Sequence, residues 1–124
     1  GIPKKYFDKG DPYHCYCHKT TRLISEKFSS IKIKTTFQSR FGPQEWLQPY
    51  TDKTLENLPK EGVKNVLTIC PGFASDCVET LEEIQIQAKE SFLNSGGENF
   101  DMVPCLNDNS DHIILLKSLI ERNI

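Results

Sequence analysis

An apolar run that stops abruptly and gives way to a helical pattern limits this chain most strongly to an α/β fold. Four of the six residues 65–70 are apolar, and Pro71 and Gly72 interrupt the run. From 75 to 93 the apolar side chains recur at helical spacing, which predicts one long helix with a buried stripe. A strand followed at once by a turn and a helix is half of a parallel β-α-β unit.

Similar patterns alternate along the rest of the chain. The predicted strands cover 31–37, 65–70 and 100–106. The predicted helices run from Asp11 to about Phe28, from Thr51 or Asp52 to Pro59, from 75 to 93, and from Ser110 onwards. Caps of Asp, Thr or Ser mark their starts. This order predicts an α/β, Rossmann-like lobe of three layers (αβα), in which helices flank a short parallel sheet.

Ligands of open parallel sheets bind beyond the carboxyl ends of the strands. In this chain the segments that follow the predicted strands are 38–50, 71–76 and 107–110. The long helix therefore begins where a binding site is expected.

Three carboxylates stand at the start of that helix. Asp76, Glu79 and Glu83 are spaced i, i+3 and i+7, so they share one face of a regular helix. Like charges at this spacing repel by about 0.2–0.5 kcal/mol per pair. The helix dipole, or simple solvation, offsets this repulsion for the carboxylates in the first turn. A bound cation or a shared proton would offset it for Glu83 as well. The spacing leaves both interpretations open.

Composition narrows the class of protein. The 124 residues suit one domain, and the net charge is −2. Residues 1–40 hold nine basic and three acidic side chains, and 41–124 hold six and fourteen. The basic part could meet anionic lipid or substrate carboxylates, or be a solvated surface. No basic and aromatic clustering points to nucleic acid.

The five scattered cysteines favour a reducing compartment, and no signal peptide or membrane span is found.

A second candidate metal motif is less convincing. His14 and His18 are four residues apart on a predicted helix, a spacing that suits metal binding. Cys17 is predicted on the buried side and the two histidines on the outer side, so the three cannot readily converge. His112 is expected at the surface or as a helix cap.

Three blocks of sequence together resemble the ferrochelatase family, and the resemblance covers essentially the whole chain. They are Gly-Asp-Pro-Tyr at 10–13, Thr-Phe-Gln-Ser-Arg-Phe-Gly-Pro with Trp-Leu-Gln-Pro-Tyr-Thr-Asp within 36–52, and Cys-Pro-Gly-Phe-Ala-Ser-Asp-Cys-Val-Glu-Thr-Leu-Glu-Glu at 70–83. The second and third are most similar to bacterial members. The resemblance implies an enzyme that inserts Fe(II) into protoporphyrin IX to form protohaem, the last step of haem biosynthesis.

The resemblance also implies that residues 1–124 are a C-terminal ferrochelatase domain, one of two similar lobes with the porphyrin between them. In the family, a short strand ends in Ser-x-His-small-x-Pro, and its His is a candidate metal ligand or proton acceptor. We expect that strand to precede Gly1, and the N-terminal lobe to be absent from this sequence. The fragment alone is therefore expected to show no chelatase activity, and to be poorly folded unless another chain or strand order closes the sheet.

Roles for individual residues follow from the same resemblance. Glu79 matches the essential carboxylate of the family, as proton acceptor or iron ligand, and Asp76 and Glu83 would complete an acidic track for iron or protons. The segment 38–50 resembles a lip over the macrocycle. The residues expected to contact porphyrin are Tyr13, Gln38, Ser39, Arg40, Phe41 and Trp46. Of these, Arg40 would bind a propionate.

The remaining expectations concern ligands, location and alternatives. Fe(II) is a substrate, no cofactor is required, and an iron–sulfur cluster is not expected because no cysteine follows Cys105. The expected location is the cytoplasm, with peripheral contact at the inner membrane as a variant. One alternative function is a chelatase that uses coproporphyrin as the porphyrin or cobalt as the metal, and the presence of Trp46 disfavours the cobalt enzymes. A second alternative is a non-catalytic module that binds a divalent cation or a protein. A shift of the porphyrin Soret band on binding would separate an enzyme lobe from such a module.

Overall fold

The computed structural model describes all residues from 1 to 124. The helices are α1 (Lys4–Phe7), α2 (Tyr13–Ser25), α3 (Thr51–Asn57), α4 (Val78–Leu81), α5 (Lys89–Asn94) and α6 (Ser110–Glu121). A 3₁₀ turn covers Leu58–Glu61, and a π-helical segment covers Glu83–Ala88. The strands are β1 (Asn65–Ile69) and β2 (Asn99–Val103). None of the helices combines the length and apolar character needed to cross a bilayer.

The two strands form a parallel sheet, with Asn65 opposite Asn99 and Ile69 opposite Val103. The chain between them passes through α4, the π segment and α5, as a parallel β-α-β unit requires. The core of this unit consists of the buried side chains of Leu55, Ile84, Ala88, Phe92 and Phe100. A short parallel sheet flanked by helices confirms the predicted α/β class and its central strand-helix-strand unit.

The predicted strand 31–37 is wrong. Residues 31–36 pair with no other segment, and only Phe37 forms a parallel bridge, with Tyr50. The Phe37 N–H donates to the Pro49 carbonyl at 2.9 Å, and the Phe37 carbonyl accepts from Thr51 N–H at 3.0 Å. Strand propensity describes how well side chains fit a paired, half-buried surface. Without a neighbouring strand, this β-branched segment forms no ladder.

The predicted helix 75–93 is also wrong in its start and its regularity. It begins only at Val78, because Cys77 is extended (φ −147°, ψ −178°) and caps the helix together with Thr80. After Glu82 the winding widens, and Gln87 N–H donates to the Glu82 carbonyl at 2.9 Å, a bond from i+5 to i. Asp76 therefore lies before the first turn, and the helical spacing on which the face of three carboxylates was predicted does not include it.

The ends of the other helices agree with the sequence in part. The Asp11 carboxylate accepts the Tyr13 N–H at 2.9 Å, as predicted for a cap. That helix ends at Ser25 and not near Phe28, which is exposed. Helix α3 starts at Thr51, and its cap residue is Tyr50 and not Thr51 or Asp52 as predicted. The 3₁₀ turn that follows it ends at Gly62. The last helix starts at Ser110, but the capping side chain is that of Asn109.

Candidate functional site

Glu79 lies in the first turn of α4, directly beyond the carboxyl end of β1, and its side chain is half-buried. Hydrogen bonds from the Cys77 side chain and from its own backbone N–H hold the pKa of Glu79 below its ordinary value. The carboxylate is therefore ionised at neutral pH and can accept a proton or bind a cation.

Glu83 begins the π segment and is tied to the segment 38–50. The Ser39 hydroxyl donates to its Oε2 at 2.5 Å, and Gln38 Nε2 lies 3.3 Å from the same oxygen. The Gln38 amide also donates to the backbone carbonyl of Glu79 at 2.7 Å. The structure thus joins two predicted porphyrin contacts to the carboxylate of Glu83 and to the backbone of Glu79.

Ser39 has an unusual backbone conformation for its type, with φ at +63°. A non-glycine residue in the left-handed region costs on the order of 1–3 kcal/mol and is frequent at functional sites. Here the conformation places the hydroxyl on Glu83 at the point where the chain leaves Phe37 and enters the lip.

Asp76 does not share the face with Glu79 and Glu83, which corrects the predicted three-carboxylate stripe. It precedes the helix cap, and its Oδ1 accepts from the Thr80 hydroxyl at 3.0 Å and the Cys105 N–H at 3.3 Å. Its Oδ2 accepts from Asn107 Nδ2 at 2.7 Å. The hydrogen bond from Asn107 contributes most to holding the pKa of Asp76 below its ordinary value. No three His, Cys, Asp or Glu side chains lie close enough together to hold a metal ion.

The lip of residues 38–50 is held by its own contacts. The Arg40 guanidinium pairs with the Asp52 carboxylate and lies 4.1 Å above the Tyr50 ring. Trp46 Nε1 donates to the Phe41 carbonyl at 3.0 Å, and the Tyr50 hydroxyl donates to the Trp46 carbonyl at 3.4 Å. Phe41 is 83% exposed, so its ring is free to contact a ligand.

The predicted contact Tyr13 lies at the base of the same region. It is half-buried, and its ring centroid is 6.3 Å from that of buried Phe37. Burial raises the pKa of its hydroxyl above the ordinary value. Tyr13 therefore stays neutral at physiological pH and presents an apolar ring beside the residue that leads into the lip.

Two of the three histidines differ from their predicted positions. His14 is half-buried and not on an outer face, because its ring centroid lies 5.8 Å from that of Phe37. His18 is exposed as predicted, and its ring is tilted against that of His14 at 4.4 Å. Burial lowers the pKa of His14. His112 was predicted at the surface or as a helix cap but is only 8% exposed, with Nδ1 2.8 Å from the Asn107 carbonyl oxygen.

Sequence reasoning missed Asn107 as a site residue. Its side chain holds Asp76 at both the backbone N–H and the carboxylate. The available signal was its position just after a predicted strand, among the turn-forming residues 107–110. Its φ of +48° is a conformation that Asn tolerates better than most residues.

Comparison with known proteins agrees with this arrangement. A family model described as ferrochelatase matches residues 1–124. Ferrochelatases from Rhizobium meliloti (strain 1021) and Allorhizobium ampelinum are each 57% identical to the chain over 126 aligned residues, and one from Pseudoalteromonas atlantica is 55% identical. Each comparison includes 100% of this chain and 35–37% of the relative.

The chain thus spans about a third of the length of the curated relatives it matches. The family match covers every residue, including the lip and the turn that carries Glu79 and Glu83. The chain belongs to the ferrochelatase family.

Proposed function

We propose that this chain is the C-terminal lobe of a longer ferrochelatase, which inserts Fe(II) into protoporphyrin IX to form protohaem in the last step of haem biosynthesis. The observation that carries the proposal is the link between the lip and the carboxylates. In this chain, Gln38 and Ser39 at the start of the lip form hydrogen bonds with the Glu83 carboxylate and with the backbone carbonyl of Glu79. A macrocycle held by the lip would lie next to the side chain of Glu83.

The chemistry needs two kinds of groups. Fe(II) enters the ring as two pyrrole N–H protons leave, so the site requires a proton acceptor and weakly held oxygen ligands. Glu79 supplies an ionised carboxylate as the acceptor, and its lowered pKa favours a bound cation once the pyrrole protons have left. Glu83, one helical turn away and held by Ser39, supplies an oxygen ligand that guides the iron.

The remaining metal ligands come from outside this chain. Asp76 is the third carboxylate of the proposed acidic track, but its oxygens already accept hydrogen bonds from Thr80, Cys105 and Asn107. We therefore assign the direct contacts with iron to Glu79 and Glu83 first. The His that the family places before Gly1 would complete the set from the opposite side, with the N-terminal lobe as partner.

The proposed porphyrin contacts divide into apolar and polar groups. Phe41, Trp46 and Tyr13 offer ring faces, and Gln38 and Ser39 offer hydrogen bonds. Arg40 would bind a propionate only by giving up its pair with Asp52, so a propionate must compete with a carboxylate already in place. The proposed location is the cytoplasm, with peripheral contact at the inner membrane.

The proposal is tested on the longer protein that contains this chain. Purified protein is given protoporphyrin IX or coproporphyrin with Fe(II) or Co(II), and formation of each metalloporphyrin is followed by absorbance. The proposal expects the highest kcat/KM for Fe(II) with protoporphyrin IX. A higher value for coproporphyrin or cobalt would contradict the proposed substrates, and an unshifted Soret band on porphyrin titration would exclude an enzyme lobe.

A further inference from the structure

The turn that leads into Glu79 is held mainly by Asn107, which lies beyond the carboxyl end of β2. Residues 70–77 connect β1 to α4 and have no strand partner of their own. Asn107, just beyond β2, holds this turn at three points. Its Nδ2 donates to Asp76 Oδ2 at 2.7 Å, its Oδ1 accepts the Asp76 N–H at 2.8 Å, and its own N–H donates to the Ala74 carbonyl at 3.0 Å.

Asn107 is itself fixed from the other side. Its carbonyl oxygen lies 2.8 Å from Nδ1 of buried His112, in the first turn of α6. With its φ at +48°, the side chain of Asn107 contacts Asp76, while its backbone carbonyl contacts His112. The residue therefore joins the turn after β1 to the helix after β2.

The network continues from Asp76 into the helix that carries Glu79. Asp76 Oδ1 accepts from the Thr80 hydroxyl at 3.0 Å, and the same hydroxyl oxygen accepts the Cys77 N–H at 3.0 Å. The Thr80 side chain is fully buried. Thr80 is adjacent to Glu79 in the chain, so displacement of Asp76 would move the first turn of α4 and the Glu79 carboxylate with it.

We propose that Asn107 is a positioning residue for Glu79, which acts through Asp76 and Thr80 to fix the first turn of α4. This inference rests on the proposed function, since it concerns the carboxylate that accepts the proton. A misplacement of about 1 Å at a reacting group can lower a rate about 100-fold. The effect should therefore fall on kcat, while the lip residues that bind porphyrin are untouched.

The test uses Asn107→Gly in the longer protein, because Gly keeps the left-handed backbone and removes only the side chain. We expect kcat for iron insertion to fall about 10- to 100-fold, with the KM for porphyrin unchanged. The matched control is Asn109→Gly, which alters the neighbouring cap of α6 but does not contact Asp76. It should keep the wild-type kcat.

A double-mutant cycle separates positioning from a general structural effect. If Asn107 acts through Glu79, then Asn107→Gly should lower the residual rate of a Glu79→Gln protein by less than 2-fold. Additive losses in the double variant would overturn the inference. If Asn107→Gly does not fold, Thr80→Val provides the same test by removing the hydroxyl and nearly keeping the shape, and a wild-type kcat there would also overturn it.

The two proposals fail in different ways. A folded wild-type protein without iron insertion contradicts the proposed function and this inference together. An active wild type in which Asn107→Gly keeps its kcat contradicts this inference alone.

Discussion

At the scale of single residues, three carboxylates of one short sequence have three different surroundings. Glu79 is half-buried beside Cys77, Glu83 accepts from Ser39, and Asp76 accepts from three donors. Sequence spacing treats them alike. We propose different tasks for them: Asp76, whose two oxygens both accept hydrogen bonds, holds the fold, whereas Glu79 and Glu83 take a proton or a metal.

Glu79 should be the residue on which turnover depends most. Glu79→Gln keeps the shape but removes the proton acceptor, and we expect kcat for iron insertion to fall about 10²- to 10⁴-fold. Porphyrin affinity, measured by Soret titration, should change little. Glu82→Gln on the same helix is the control, since that side chain is exposed, and near-normal turnover of Glu79→Gln would remove Glu79 from the mechanism.

Glu83 should act mainly on iron. Glu83→Gln can still accept the Ser39 hydrogen bond, so the lip should keep its position while the charge is lost. We expect a several-fold rise in the KM for Fe(II) and little change in the KM for porphyrin, measured by initial rates over a range of iron concentrations. An unchanged dependence on iron would contradict this role and leave Glu83 only as the residue that holds Ser39 and Gln38.

Asp76 should make stability depend on pH. Its folded-state pKa is lowered, so the carboxylate stabilises the fold above its unfolded-state pKa of about 3.9, and this stabilisation is lost as the pH falls through the folded-state pKa. We expect Asp76→Asn to have a lower Tm than the wild type at pH 7, and the difference to shrink toward pH 3. Asp108→Asn, at an exposed position, is the control. A difference in Tm that is constant with pH would contradict this role.

At the scale of elements, the sequence predicted the units that depend on local pattern. Strands β1 and β2 and helix α3 lie where apolar runs, caps and turn residues indicate them. The segment 31–37 failed because pairing depends on a neighbour that local pattern does not reveal. The π segment was hidden because Ile84, Ala88 and Phe92 are spaced by four residues, which fits both α- and π-helical winding.

The candidate site was predictable to a similar degree. The family motifs pointed to the lip and to Glu79 and Glu83, and in the structure Gln38 and Ser39 contact the Glu83 carboxylate and the backbone carbonyl of Glu79. Position in sequence could not show that Asp76 turns toward the end of β2, because its partner Asn107 is 31 residues away. Long-range hydrogen bonds of this kind, like the burial of His112, have no local signal.

At the scale of the whole molecule, this lobe exposes much apolar surface. Leu67, Ile69 and Val103 point from the sheet into solvent on the face opposite the core. Helix α6 exposes all six of its apolar residues, namely Ile113, Ile114, Leu115, Leu116, Leu119 and Ile120. Contiguous exposed apolar surface is typical of an interface. It agrees with the proposal that this lobe is covered by the rest of a longer enzyme.

The division of the site between two lobes is the central claim, and the most direct test compares protohaem formation by the longer protein and by residues 1–124 alone. Both are given protoporphyrin IX and Fe(II) and followed by absorbance, with thermal unfolding of the fragment measured alongside. We expect the longer protein to form protohaem and the fragment to form none, without a cooperative monomeric transition. Protohaem formation by the fragment alone, or its absence in a folded longer protein, would contradict the account.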